Sequence, residues 1–188
     1  MRFTPLKIAD IILIEPKVFQ DARGLFLESY HKELFSAAGI PAEFVQDNLS
    51  VSRKGVLRGL HYQIRQPQGK LVRVLFGEIY DVAVDLRRDS PAFGQWVGMT
   101  LSAEKKDQLW IPPGFAHGLY VLSDQAEILY KVTDYYAPQW ERTLIWNDPM
   151  LAIDWPKLSD QPPVLSEKDA QGRLLSEAET YAGLSESE

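Results

Sequence analysis

Two stretches in the middle of the chain set the pattern. Lys70-Leu-Val-Arg-Val-Leu-Phe76 and Ile79-Tyr-Asp-Val-Ala-Val-Asp-Leu86 carry the period-two patterning and the β-branched or aromatic residues that mark strands. Gly77-Glu78 between them reads as a tight hairpin connection. Further short runs follow at Gln95–Leu101, Gln108–Ile111, Gly118–Leu122, Ala126–Thr133 and Thr143–Trp146, punctuated by Pro, Gly, Ser and Asp. Upstream, Ile11–Ile14, Leu25–Tyr30, Glu43–Val51 and Val56–Ile64 look alike. About ten short strands at close spacing predict an all-β sandwich or jelly-roll barrel. Helices are few. Ser29 is placed to cap a short one over 31–38 that ends at Gly39, and a second is predicted over 173–182. Pro162-Pro163 marks the exit from a barrel core (about 10–155) into a C-terminal segment (about 162–188). No repeat, low-complexity tract or interdomain linker interrupts the chain, so residues 1–188 are expected to form one β domain with a helical tail.

Composition narrows the function classes. A chain of 188 residues with 45% apolar content can fill one core. Zero cysteines exclude disulfides, thiolate metal sites and cysteine nucleophiles. No apolar run approaches the roughly 18 residues of a membrane span, and the first residues lack the pattern of an export signal; the cytoplasm is the expected compartment. A net charge of −6 argues against general nucleic-acid binding, which needs Lys and Arg to neutralise phosphates. The charge is uneven: residues 159–188 hold seven acids and two bases, whereas residues 48–77 hold six bases and no acid. Such a basic island is either a solvated face or a pocket for an anion such as a diphosphate.

Strand parity picks out the candidate chemistry. Lys70 shares a face with Val72, Val74 and Phe76. An ammonium there either snorkels off the strand end or is held inside a cavity to meet an anionic oxygen. In Val56-Leu-Arg58-Gly59-Leu-His61, strict alternation separates Arg58 from His61, but a bulge at Gly59 would bring both to one side. Tyr130 shares parity with Ile128 and Val132, as a core tyrosine would. Ser166-Glu-Lys-Asp169 has the spacing of a capping box, which offers Asp169 a purely structural role. Pro112-x-Gly114-x-x-His117 resembles the second motif of cupins, a superfamily of small β-barrels. The first cupin motif of metal-binding members needs two histidines one residue apart, and the matching stretch here is His61-Tyr-Gln63. With so few imidazoles, a histidine-rich metal site is not expected.

Seven stretches together resemble the dTDP-4-dehydrorhamnose 3,5-epimerase family, metal-free cupins of the dTDP-L-rhamnose pathway. They are Phe19-Gln-Asp-Ala-Arg23-Gly-Leu-Phe26-Leu-Glu28-Ser, Phe44-Val-Gln46-Asp47-Asn48, Val56-Leu-Arg58-Gly-Leu-His61-Tyr-Gln63, Gly69-Lys70-Leu-Val-Arg, Trp110-Ile-Pro-Pro-Gly-Phe-Ala-His117-Gly, Tyr130-Lys-Val-Thr-Asp-Tyr-Tyr136 and Leu165-Ser-Glu-Lys168-Asp169-Ala. They run in order over roughly residues 10–170. The resemblance implies a cupin-type jelly roll and inversion of C3 and C5 in a 4-keto-6-deoxyhexose attached to dTDP, with no redox cofactor or metal. It implies His61 as proton acceptor, Asp169 as the carboxylate orienting it, Tyr130 as proton donor and Lys70 as stabiliser of the enolate oxygen. It assigns Arg23 and Arg58 to the diphosphate, and Glu28, Gln46, Asp47, Asn48 and Tyr136 to the nucleotide, with Tyr136 stacking on thymine. Phe26, His117, Glu141 and Lys168 are further binding positions. It also implies a homodimer that exchanges N-terminal strands, so that Arg23 and Glu28 serve the partner's site. Inversion at C3 alone, a silent nucleotide-sugar-binding cupin and a metal-dependent cupin oxygenase are the competing readings.

Overall fold

The computed structural model describes residues 1–40 and 43–182; Glu186 and Glu188 of the acidic tail lie outside the described residues. Thirteen strands and two short helices follow one another as β1 (Arg2–Pro5), β2 (Ile12–Glu15), β3 (Val18–Asp21), β4 (Gly24–Leu27), α1 (Lys32–Ala37), β5 (Gln46–Arg53), β6 (Leu57–Gln63), β7 (Lys70–Phe76), β8 (Glu78–Asp85), β9 (Trp96–Ser102), β10 (Gln108–Ile111), β11 (Phe115–Val121), β12 (Gln125–Val132), β13 (Glu141–Thr143) and α2 (Glu167–Ala170). A six-stranded sheet has the order β1-β2-β10-β7-β12-β5, and a five-stranded sheet has the order β13-β6-β11-β8-β9. Among the described residues, the hairpin β3-β4 pairs only with itself. Every ladder is antiparallel, which is the jelly-roll architecture of the cupins.

Alternation explains the layering. Val72 and Val74 of β7, Ile79 and Ala83 of β8, and Ala126 and Ile128 of β12 face one another in the main core between the sheets. The opposite parity of β6 and β8 (Leu60, Tyr62, Val82, Val84) faces outward and is covered by Leu151, Leu175, Ala178 and Tyr181. A third cluster caps the outer face of the six-stranded sheet, where Phe35 of α1 and Ile40 meet Ile12, Ile14, Leu71 and Trp110. No helix among the described residues is long and apolar enough to cross a membrane.

Several local expectations differ from the structure. Gly77 is not a hairpin turn: β7 and β8 belong to different sheets, and the chain crosses from one to the other there. Gly77 takes φ +77°, and a Cβ on it would fall 2.0 Å from the Gln125 carbonyl oxygen. A tight glycine link is compatible with either geometry, so sequence alone does not separate a turn from a corner. The predicted helix over 173–182 is absent. Leu175, Ala178 and Tyr181 recur every three residues because each drops into the outer cluster from an irregular segment, not because the segment coils. Only Leu175–Glu177 forms a single 3₁₀ turn, while Arg173 bridges Leu144 and Tyr181 bridges Arg87. Ser29 does not cap α1; His31 occupies the cap without a side-chain bond, and the Ser29 carbonyl accepts from the Gln108 amide instead. The alternation pattern does not mark strands β1 and β3, and β13 overlaps the predicted run 143–146 only at Thr143.

Gly77→Ala is expected to destabilise the fold by roughly 2 kcal/mol or more, combining a left-handed φ with a backbone clash. Thermal unfolding would show it as a drop of several degrees in Tm.

Candidate active site

His61 reaches the space between the sheets because β6 is bulged. Across the ladder, His117 pairs with His61 and Leu119 with Arg58, so two steps on β11 span three on β6. Gly59 sits in that bulge at φ +120°, and a Cβ there would fall 2.5 Å from the Gly118 Cα. As expected from the glycine, Arg58 and His61 turn to the same side. The Arg58 Nε–H donates to Ser52 Oγ (2.9 Å) on the inward face of β5. Between them Leu60 packs outward, as does Tyr62 beyond.

At this end of the sandwich the apolar core stops, and a cavity of about 270 Å³ opens. His61 and Gln63 enter it from the five-stranded sheet; Lys70, Tyr130, Gln46 and Asn48 enter from the six-stranded sheet. Tyr136 and Glu141 close one side. Imidazole and phenol therefore come from facing sheets, with the ammonium beside them.

Asp169, only 3% exposed, is carried in by α2 and stands 2.5 Å from His61 through Oδ1 and Nε2. Its capping-box spacing is half used. Its backbone N–H donates to Ser166 Oγ (3.2 Å), and the Ser166 hydroxyl donates to Asp169 Oδ2 (2.8 Å). The carboxylate is thus turned to the imidazole and to Ser166 Oγ. Burial pushes its pKa up, but the bonds from His61 and Ser166 and the nearby Lys168 charge outweigh that and hold it below the usual value. Burial lowers the His61 pKa against the pull of Asp169, which leaves the imidazole able to accept a proton at neutral pH.

Lys70 is 8% exposed, so it does not snorkel; its Nζ donates to the His61 carbonyl (3.3 Å). Burial brings its pKa down to about 8, and the charges of Asp81 and Glu141 oppose that fall. Burial raises the Tyr130 phenol, which therefore keeps its proton. On the rim, the Tyr136 hydroxyl donates to Glu141 Oε2 (2.9 Å), Lys168 Nζ donates to Glu141 Oε1 (2.8 Å), and the Tyr136 N–H donates to Gln46 Oε1 (3.1 Å).

Other expected residues lie elsewhere. Asp47 has the opposite parity to Gln46 and Asn48 and is bonded to Lys131 (2.7 Å) on the outer face. His117 is buried behind the lining, with Nε2 between both oxygens of Asp81 (2.9 and 3.0 Å). Arg23, Phe26 and Glu28 are exposed on or beside the β3-β4 hairpin, Arg23 being paired with Asp21 (2.6 Å), and none lines the cavity. Two residues escaped sequence reasoning. Asp81 shares parity with Ile79 and Ala83, the same signal of a charge on an apolar face that marks Lys70. Gln63 shares the His61 face; its amide donates to the carbonyls of Gln66 (2.7 Å) and Tyr135 (3.2 Å) and accepts from Ala137 N–H (2.8 Å), fixing the loop that carries Tyr136.

Comparison with known proteins shows the family. A family profile described as dTDP-4-dehydrorhamnose 3,5-epimerase matches residues 5–177. A relative of that name from Pseudomonas aeruginosa is 62% identical over 182 residues, covering 96% of this chain and 99% of its own. A crystal structure of the dTDP-6-deoxy-D-glucose-3,5-epimerase from Legionella pneumophila, in complex with dTDP-4-keto-L-rhamnose, superposes with a TM-score of 0.90 at 54% identity and covers 95% of this chain and 94% of that one. A 3′-monoepimerase from Streptomyces bikiniensis, in complex with dTDP-quinovose, has a TM-score of 0.84 at 33% identity, covering 92% of this chain and 87% of its own. With the profile spanning nearly the whole fold and relatives matched end to end, the chain belongs to the dTDP-4-dehydrorhamnose 3,5-epimerase family.

Proposed function

We propose that this protein inverts C3 and C5 of dTDP-4-keto-6-deoxy-D-glucose to give dTDP-4-keto-L-rhamnose, a step of dTDP-L-rhamnose biosynthesis. One observation carries the reading: a half-buried imidazole bonded to a buried carboxylate and a phenol project from opposite sheets into one cavity, beside a buried ammonium. Both carbons flank the C4 ketone, so their protons are acidic once the enolate oxygen is stabilised. His61 removes a proton from one face of the ring, and Asp169 stabilises the imidazolium that results. Lys70 donates to the oxygen that gains charge. Tyr130 returns a proton from the opposite face, and the phenolate and imidazolium then exchange protons with solvent before the second carbon reacts. Arg58 is a diphosphate contact; Gln46, Asn48 and Tyr136 hold the nucleotide, and Glu141 and Lys168 form the rim that orients Tyr136. Asp47 faces Lys131, so any contribution to the nucleotide runs through its backbone. Asp81 and His117 support the floor behind Lys70. The cysteine-free composition suits the reducing cytoplasm.

A homodimer accounts for the residues left outside the cavity. Val18, Phe19, Leu25 and Phe26 are exposed on the self-paired hairpin, and Leu49, Val51, Leu75 and Phe76 are exposed on the six-stranded sheet. On the hairpin the exposed Phe19 and Phe26 rings lie against each other, and exposed apolar surface of this kind marks a protein interface. The hairpin crosses to the partner subunit, bringing Arg23, Glu28 and the apolar wall of Phe26 to its nucleotide site.

Incubation with dTDP-4-keto-6-deoxy-D-glucose in deuterated water is expected to label C3 and C5. Label at C3 alone would replace the reading with a monoepimerase. His61→Asn and Tyr130→Phe should each lower kcat by roughly 10²-fold or more while unfolding as the wild type does; full activity with double inversion in Tyr130→Phe would remove it as the acid. In the pH profile of kcat/KM, the acid limb reports His61 losing its proton and should lie below the ordinary histidine value of about 6.5. The alkaline limb reports Lys70 losing its charge and should lie near the value of about 8. Lys70→Arg should abolish the alkaline limb. Arg58→Ala is expected to raise KM far more than it lowers kcat. Co-expression of His61→Asn and Arg23→Ala subunits should restore about a quarter of wild-type activity, because half the dimers are mixed and each has one intact site; no recovery would mean that Arg23 serves its own cavity.

A further inference from the structure

Asp169 has two carboxylate oxygens in a nearly closed environment, and each has its own partner. Oδ1 meets His61 Nε2 at 2.5 Å, and Oδ2 accepts from the Ser166 hydroxyl at 2.8 Å. Ser166 is itself fixed, since its Oγ accepts from the Asp169 N–H and its backbone opens α2 as the N-cap. A carboxylate held on one oxygen only can rotate about χ2 and can present its full charge to a single donor. With two donors it does neither. We propose that Ser166 is a positioning residue of the His61–Asp169 pair, its hydroxyl pinning the carboxylate so that Oδ1 alone meets the imidazole. The inference rests on the reading of His61 as the base and goes beyond the capping role that the Ser-x-x-Asp spacing predicts.

The consequence is electrostatic as well as geometric. His61 is faced by Asp169 and Lys168 from α2, Lys70 from β7, Tyr130 from β12, Glu141 from β13 and, behind the ladder, His117 paired with Asp81. Of these, Asp169 alone bonds the ring, so the share of its charge drawn off by Ser166 sets how strongly the imidazolium is favoured. Without the hydroxyl, the carboxylate concentrates its charge on His61, which then takes up its proton at higher pH. The base would be partly protonated where it must be free.

The imidazole carbon and nitrogen resonances of the whole protein, titrated by NMR, read this without any turnover. Three histidines are present, and the signal lost in His61→Asn is thereby assigned to His61. Ser166→Ala is expected to move the His61 midpoint upward by about 0.5 in pH or more, and Ser166→Thr, which keeps a hydroxyl, should titrate with the wild type. Should Ser166→Ala fail to fold, Ser166→Gly gives the same readout, because glycine is well tolerated at an N-cap. The acid limb of kcat/KM should shift in parallel, costing about threefold near the limb and little well above it. A midpoint that stays or falls on loss of the hydroxyl, or an upward shift that Ser166→Thr shares, overturns the proposal. Absence of epimerisation by the wild type would instead overturn the function, leaving the titration as an independent result.

Discussion

Two strands pass so closely at Gly59 and Gly118 that neither position tolerates a side chain, and the site depends on that approach. A Cβ on Gly59 would fall 2.5 Å from the Gly118 Cα, and one on Gly118 would fall 2.8 Å from the Arg58 carbonyl oxygen. The close passage accommodates the extra residue of β6, which turns Arg58 and His61 to the same face of the sheet, with Arg58 remaining exposed. A regular ladder would send one of them outward. The proposed base and the proposed diphosphate contact would then sit on opposite faces of a sheet, and no single ligand could touch both.

Once His61 points inward, the difficulty becomes charge. His61, Asp169, Lys70 and Tyr130 all sit against an apolar core, and burial penalises the charged form of each. The molecule answers with partners graded by need. Asp169 keeps its charge because two side-chain bonds hold it there. Lys70 has only the His61 carbonyl and the field of Asp81 and Glu141, so its pKa falls to about 8 and its ammonium remains available to an anionic oxygen. Tyr130 is pushed up by burial and by the Glu141 charge against the weaker opposing pull of Arg58, so its phenol keeps its proton, as the proposed proton donor must. A charge satisfied fully by the protein would have little left for a transition state.

How much of this was legible follows from which residues carry local signals. Period two and turn residues located most strands, because alternation is a property of neighbours. The bulge was readable too, since a glycine beside two functional residues of conflicting parity has few other uses. Gly77 was not, because a turn and a corner differ only in the strands' partners, β10 and β12 for β7 and β9 and β11 for β8, all distant in sequence. The three-residue recurrence of Leu175, Ala178 and Tyr181 mimicked a helix for a similar reason: three-residue contacts with an outer sheet and one helical turn leave nearly the same trace. Asp169 illustrates the converse. Its capping-box spacing was correct, yet the carboxylate serves a histidine 108 positions away, which no local rule reveals.

The segment beyond α2 explains why the site needs a tail at all. Strand β6 is bulged and pairs on one side only with the three-residue β13, so its ladder alone holds it weakly. Its outward residues are gripped from behind instead. The Tyr62 hydroxyl donates to the Glu179 carbonyl (2.6 Å), the Tyr181 hydroxyl donates to the Gln63 carbonyl (2.5 Å), and the two rings meet edge to face. Arg142 of β13 is paired with Glu179 as well. Residues 173–181 therefore clamp the strand whose inner face carries His61 and Gln63, and α2 at the start of the same segment delivers Asp169. His61 and Asp169 are held by one stretch of chain wrapped around a single strand, so any displacement of that stretch moves both members of the pair together.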